Sequence, residues 1–369
     1  MPHSGIELSS KPDWAQCQLR YEAFWEGELL DRPLLQVTAP RSGMTARSTD
    51  LPADEAGLLR WFTDPELVLP RMAEQVAATY YGGDALPVVM PVSGNLVAIL
   101  AAYLGCPYRI VPGSGSGWAD PVIDNWATRQ PLILDTSNPW WQATLRLLQA
   151  AADANEGRYL VAIPDLQGNG EIVALLRGTE RLALDMVEHP DEVRQADNEV
   201  NLAWWEAWRE CNRIIASDRQ GYVDWLGVWS RLPAVTLECD FACMISTEMF
   251  KQVFLPGLER QASWVSRTIF HLDGPGALRH LETLLAIKEL TGIQWVPGAG
   301  QPSMVEWLPL LQRIQAAGKR LVVACEDWEV PKLLGGLRPE GLLLSTQCTT
   351  QAQAEALVAS LACSRRKEI

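Results

Sequence analysis

The sequence has no C-x-x-C pair, no unbroken apolar run of membrane length and no surplus of basic charge. Each absence excludes a class. Its 31 Lys and Arg stand against 45 Asp and Glu, a net charge of −14, whereas a protein that binds a phosphate backbone carries a basic face. The longest apolar stretch, Val88 to Leu104, is broken by Pro91, Ser93, Gly94 and Asn95, too broken to span a bilayer. The opening M-P-H-S-G-I-E lacks a basic region followed by an apolar run, so no signal peptide is expected and the expected location is cytoplasmic. Eight cysteines (Cys17, Cys106, Cys211, Cys239, Cys243, Cys325, Cys348, Cys363) are scattered, a pattern of free thiols rather than a disulfide framework. No G-x-x-x-x-G-K-[ST] occurs and no G-x-G-x-x-G follows a strand, so a P-loop and a Rossmann dinucleotide site both lack support.

What is present is enough to build a large core: 369 residues, 48% hydrophobic, with sixteen tryptophans. Short apolar runs closed by Gly, Pro or polar residues recur near positions 34, 87, 159, 234, 268, 292, 320 and 341. Most are followed by helical stretches, such as Pro139 to Ala152, Ala277 to Leu290 and Met304 to Ala317. Alternating strand and helix predicts a parallel sheet, and eight strands favour a closed (β/α)8 TIM barrel. Residues 1–30 read as an N-terminal helical segment, with Trp14, Cys17, Tyr21, Phe24 and Trp25 at helical spacing. It is expected to pack on a single domain covering 1–369. A helix is expected to start at Asp64-Pro65-Glu66 and run to Tyr80 or Tyr81. The Gly/Ser-rich stretch 112–126 reads as a loop, either a flap over the site or a surface excursion.

In a barrel the strand ends meet at one mouth. Asp165, Asp240, His271, Asp273, Trp295, Glu326 and Cys348 all lie at or just past such ends. The segment R-T-I-F-H-L-D-G (267–274) is the sharpest: His271 and Asp273, two apart, project from one side of an extended chain. Read alone, His271 is a core histidine and Asp273 a helix cap. With Cys348 they offer N, O and S ligands, compatible with a zinc site that keeps an open position and holds a substrate thiol as thiolate. The acid–base candidates are His271, Asp240 and Glu326. The substrate-binding candidates are Arg41, Asp165, Gln167, Trp295 and Trp328.

Seven segments taken together resemble uncharacterised members of the uroporphyrinogen decarboxylase superfamily. They are D-R-P-L-L-Q-V-T-A-P-R (31–41), D-P-E (64–66), Y-Y-G-G-D-A-L-P (80–87), P-D-L-Q-G (164–168), C-D-F-A-C-M-I-S (239–246), H-L-D-G-P-G-A (271–277) and Q-W-V-P-G-A-G (294–300). The resemblance runs over nearly the whole chain. It implies a TIM barrel with its site at the C-terminal face, and a kinship with zinc-dependent methyltransferases that demethylate corrinoid proteins and with cobalamin-independent methionine synthase. Their zinc motif is H-x-C followed by a distant Cys. His271 matches the first ligand and Cys348 the last, while Asp273 stands where the middle Cys belongs. The porphyrinogen-decarboxylating branch carries an Arg-rich N-terminal segment, and beyond Arg41 this chain has no R-x-x-x-R there. The expected function is therefore a methyltransferase or demethylase with a metal-activated acceptor, its donor a corrinoid protein or a methylated small molecule. The alternatives are a metal-free decarboxylase or lyase using His271, Asp240, Asp273 and Glu326 on a small polar substrate, or a barrel that binds a ligand without turning it over.

Overall fold

The computed structural model describes residues 7–44 and 50–363, so the first six residues of the expected N-terminal segment lie outside the description, as does the side chain of Cys363. Among the described residues no helix is long and apolar enough to cross a membrane. The strands are β1 (Leu34–Pro40), β2 (Thr79–Gly83), β3 (Val88–Val89), β4 (Tyr108–Ile110), β5 (Gly117–Ala119), β6 (Leu160–Val161), β7 (Ala234–Glu238), β8 (Arg267–Asp273), β9 (Gly292–Val296), β10 (Arg320–Ala324) and β11 (Leu342–Gln347).

Helices fill the intervals. α1 (Trp14–Glu26) precedes β1, and α2 (Glu55–Thr63) and α3 (Pro65–Ala78) precede β2. α4 (Ile99–Tyr103) and α5 (Pro139–Asp153) lie between β3 and β6. The longest interval, β6 to β7, holds α6 (Asn169–Arg177), α7 (Thr179–Glu188), α8 (Pro190–Ile214) and α9 (Ser217–Gln220). α10 (Thr247–Val253), α11 (Leu255–Trp264), α12 (Gly274–Ala277), α13 (Leu281–Ala286), α14 (Leu308–Ala316), α15 (Val330–Gly336) and α16 (Gln351–Cys363) follow the later strands.

The central sheet runs β2-β1-β11-β10-β9-β8-β7. Every pairing in it is parallel except β1 with β2. β3 and β6 form a separate parallel pair. The eight runs expected from sequence are thus all strands and all parallel where they pair with one another, but the expected ring is not closed by backbone ladder bonds. Side chains stand in at the two seams. At β6 the Gln220 amide donates to Val161 O (2.6 Å) and accepts from Val161 N (3.0 Å), as a neighbouring strand would. At β7 the Asp224 carboxylate accepts from Thr236 N (2.6 Å). Beside β1, Asp84 accepts from Leu35 N through its side chain (3.0 Å) while its own N–H donates to Leu35 O (2.6 Å). Asp84 is buried and paired with Arg20 and Arg32.

Two apolar layers result from the strand period of two. Leu35, Val37, Leu237, Leu272, Ile293, Val323 and Leu344 face the helices. Leu34, Leu160, Ala234, Ile269, Val322 and Leu343 form a separate inner cluster. Trp14, Tyr21 and Trp25 of α1 join that cluster, as do Val223, Val228 and Trp229 from the segment 221–230. This segment, bridged to itself at Tyr222 and Ser230, therefore packs on the inner face of the strands, where Gly227 O accepts from Gln36 Nε2 (2.9 Å).

Two expectations need correction. α3 ends at Ala78, and Tyr80 and Tyr81 belong to the antiparallel strand β2. A helix cannot continue there because Gly83, at φ +60°, packs so close to Leu35 O that a Cβ would come within 2.2 Å of it. The loop 112–126 begins inside a hairpin, β4 pairing antiparallel with β5, with Trp118 exposed on it.

Candidate functional site

β8 places His271 and Asp273 at the end of the central sheet, and its neighbours complete the site. Register sets Glu238 of β7 and Gln294 of β9 directly beside His271. Residues in register share a face of a sheet, so all three project toward the interior. Just past Glu238 the chain turns into a 3-10 helix, Asp240–Met244, whose first residue comes back toward Asp273. Asp240, His271 and Asp273 each offer a ligand atom, and these atoms lie within 4.8 Å of one another. Two carboxylates and an imidazole suit a divalent cation. His271 Nδ1 donates to the Gln294 side-chain oxygen (2.7 Å), leaving Nε2 as the ring's ligating nitrogen. Trp225, from the segment on the inner face of the strands, meets the imidazole edge-on at 5.3 Å.

The surroundings are acidic. Burial, reinforced by Asp224 and Asp240, pushes the Asp165 carboxyl up to about 6, against the pull of the Gln167 N–H and His271. Burial and the charge of Asp240 raise Glu171 to about 8. Glu238 is pushed well above its ordinary value by burial and by Asp165, Glu171 and Asp240. Asp240 itself is raised by burial and by Asp273, with His271 opposing. Glu171 Oε1 accepts from Phe241 N (2.6 Å), but Glu171 Oε2 and Glu238 Oε1 are buried without a hydrogen-bond partner. Orphaned acceptor oxygens beside two further carboxylates are costly. A cation at Asp240, His271 and Asp273 removes part of that cost, so these residues fit one.

The other sequence candidates distribute unevenly. Asp165 and Gln167 join the site: Gln167 N donates to Asp165 Oδ1 (3.1 Å), and its side chain hydrogen-bonds Glu238. Gln167 holds a left-handed backbone, φ +51°, in doing so. Cys348 does not join. Its N–H bonds Thr38 O (2.8 Å), while its thiol is buried in the outer layer against Asp327. Trp295 turns away too, fully buried and packed on Trp307 at 5.0 Å, because it sits one residue off the inward-facing Gln294. Glu326 caps a turn, reciprocally bonded with Glu329. Trp328 is exposed under Lys332. Arg41 donates to Thr79 O (3.0 Å), tying β1 to the start of β2. Sequence reasoning missed Gln294, Glu238, Glu171, Asp224 and Trp225. Glu238 and Gln294 were signalled by the period of two, whereas Glu171 and Trp225 had no local signal.

A separate cleft of about 130 Å³ is lined by Gln36, Thr38, Ala85, Leu86, Val88, Gly227, Ser345 and Thr346. Its uncharged lining, polar and apolar residues mixed, contrasts with the acidic β6–β8 side.

No family model and no curated protein matches this sequence. Solved structures do. One is a methyltransferase from Methanosarcina mazei, similar over 94% of this chain and 98% of that chain with a TM-score of 0.61 and 15% sequence identity. At that identity the likeness establishes a shared mixed α/β fold.

Proposed function

We propose that this chain is an enzyme of the uroporphyrinogen decarboxylase superfamily acting as a methyltransferase or demethylase. In this reading Asp240, His271 and Asp273 hold a divalent cation, zinc by preference, at the mouth of an eight-stranded barrel. The observation that carries it is the convergence of those three side chains within 4.8 Å. The fold shared with the Methanosarcina mazei methyltransferase supports the same direction. When bound, the cation supplies a lowered pKa for a thiol or water at neutral pH.

The chain's own residues do the rest. Gln294 fixes the His271 tautomer. Trp225 and the inner apolar cluster beneath it keep bulk water from the ring's interior side. Asp165, poised at about 6, can hold or release a proton next to the site. The neutral cleft beside Gln36 and Ser345 is the space for a methylated small molecule, or for the reactive group of a corrinoid protein docked at the mouth.

The test is the metal content of protein purified without a His-tag. About one equivalent of zinc is expected, and His271→Ala should lose it while keeping the wild-type circular dichroism spectrum. A metal-free wild type that is fully active ends this reading.

A second reading has its own support: Asp165 at about 6 and Glu171 at about 8 can both exchange protons near neutrality. Then His271 and Asp240 work as acid and base without metal, on a decarboxylase- or lyase-type substrate. In that case Asp165→Asn removes a limb near pH 6 from the kcat/KM profile, and chelators leave activity unchanged.

A further inference from the structure

The group at the strand ends offers nitrogen and oxygen but no sulfur, and one exposed thiol, Cys243, lies in the turn that begins with Asp240. Cys243 lies three residues after Asp240 in the same 3-10 turn. At three residues per turn, side chains at i and i+3 eclipse, so Cys243 leaves the turn on the side from which Asp240 leaves it. The loop after β8 meets it from the other direction: a Cβ added to Gly276 would lie 3.3 Å from Cys243 Cβ.

Two neighbouring side chains hold these loops together. Arg279 donates to Gly276 O (3.0 Å) and to Ile245 O (3.4 Å). His280 Nε2 bonds Ala242 O at 2.8 Å. The Cys243 backbone is thereby fixed relative to both Asp240 and Asp273. Burial and the carboxylates of Asp240, Glu171 and Asp273 raise its thiol above the ordinary value, with Arg279 opposing, so a cation would be needed to hold it as thiolate. Cys243 is exposed, whereas Cys239 and Cys348 are buried. Independently, Glu238 Oε1, on a residue only 5% exposed and in register with His271, has no partner. A buried acceptor aimed at this face calls for positive charge there.

We propose that Cys243 is the fourth, thiolate ligand of the divalent cation held by Asp240, His271 and Asp273. The proposal rests on the metal-centred reading above. With a cation held by those three residues, rotation of the Cys243 side chain would bring Sγ to it. One sulfur–metal bond forms, the S–H bond breaks, the proton passes to solvent and no electron is transferred. A thiolate softens an otherwise hard donor set and turns preference toward zinc or cobalt over magnesium or calcium. Being on an exposed turn, the same ligand can swing away and leave its coordination position to a substrate thiol.

The test uses tag-free, full-length protein titrated with Co²⁺ and followed by absorption. The wild type should show cobalt's visible bands together with a near-ultraviolet thiolate-to-cobalt charge-transfer band. Cys243→Ser should lose the charge-transfer band and keep the visible bands, and Cys348→Ser should keep both. A charge-transfer band absent from cobalt-loaded wild type, or persisting in Cys243→Ser, overturns the proposal alone. Failure of the wild type to bind cobalt at all overturns the metal-centred reading beneath it. In parallel, Zn²⁺ should slow alkylation of Cys243 by iodoacetamide at least tenfold, read by peptide mass spectrometry. An unchanged rate counts against the thiolate ligand.

Discussion

His271 acts only as well as its ring is held. Its Nδ1–H has one acceptor, the Gln294 oxygen at 2.7 Å, supplied by the adjacent strand β9. A partner of this kind fixes the tautomer and raises the basicity of the ligating nitrogen, and its loss typically costs ten- to a hundredfold in metal affinity. On the metal-centred reading, Gln294→Leu should therefore bind zinc about ten- to a hundredfold more weakly in competition with a chelator. Gln294→Glu keeps an acceptor at that place and should retain most of the affinity. Equal affinities in both variants would mean that His271 is oriented by Trp225 instead.

The elements around the site carry a second load, a buried polar layer between helices. Asp197 of α8 is buried with Asn201, Asn169 of α6 and Gln261 of α11. Asn169 Nδ2 donates to Gln261 Oε1 (2.7 Å) and to Glu238 O (3.2 Å), linking this layer to the end of β7. Gly257 must lack a side chain here, since a Cβ would come within 2.3 Å of Asp197 Oδ2. Burial pushes the Asp197 carboxyl well above its ordinary value, with Arg260 and Asn201 opposing. The folded state then binds a proton that the unfolded chain releases, so stability falls as pH rises above the ordinary carboxyl range near 4. Asp197→Asn cannot ionise. Its melting temperature relative to wild type should rise steadily between pH 5 and pH 8, and a constant difference would show that Asp197 is ionised throughout. How much of this was legible varies by element. The eight strand positions were, because β-branched apolar runs end in Gly, Pro or acids. β2 was not, since Y-Y-G-G reads as the tail of a helix until Leu35 is packed against it. The inner segment 221–230 was not, because nothing local says that Val223, Val228 and Trp229 face inward. At the site, His271 and Asp273 were legible as a same-side pair. Trp295 was chosen one residue out of phase with Gln294. Asp240 was readable as an acid but not as the third member of the cluster, because the turn that returns it to Asp273 is a tertiary arrangement.

At the scale of the molecule, β8 links the candidate site to the N-terminal helix. Its last residues carry His271 and Asp273, and its first, Arg267, is buried under α1. Arg267 bonds both oxygens of Glu22 at 2.9 Å and Glu26 at 2.8 Å, and lies over the Trp25 ring. The apolar face of α1 supplies most of the docking energy, since each large side chain such as Trp14, Tyr21 or Phe24 contributes about 1.5–3 kcal/mol when buried. The ion pair fixes where the helix sits. Burial alone would raise the Glu22 carboxyl, but the hydrogen bond and charge of Arg267 outweigh it and hold it below its ordinary value. A depressed carboxyl contributes stability that is present above its unfolded value and lost as pH falls through the folded one. Glu22→Gln should therefore destabilise the protein at pH 7, with the difference from wild type shrinking below about pH 4. Arg267→Met leaves Glu22 with only the exposed Arg231 as partner and should cost about 1.5–3 kcal/mol in chemical denaturation. The double variant Glu22→Gln with Arg267→Met removes the half-paired charge and should recover part of that loss. If the losses of the two single variants simply add, α1 is held by its apolar face alone and the Arg267 contacts do not couple it to the strand that carries the site.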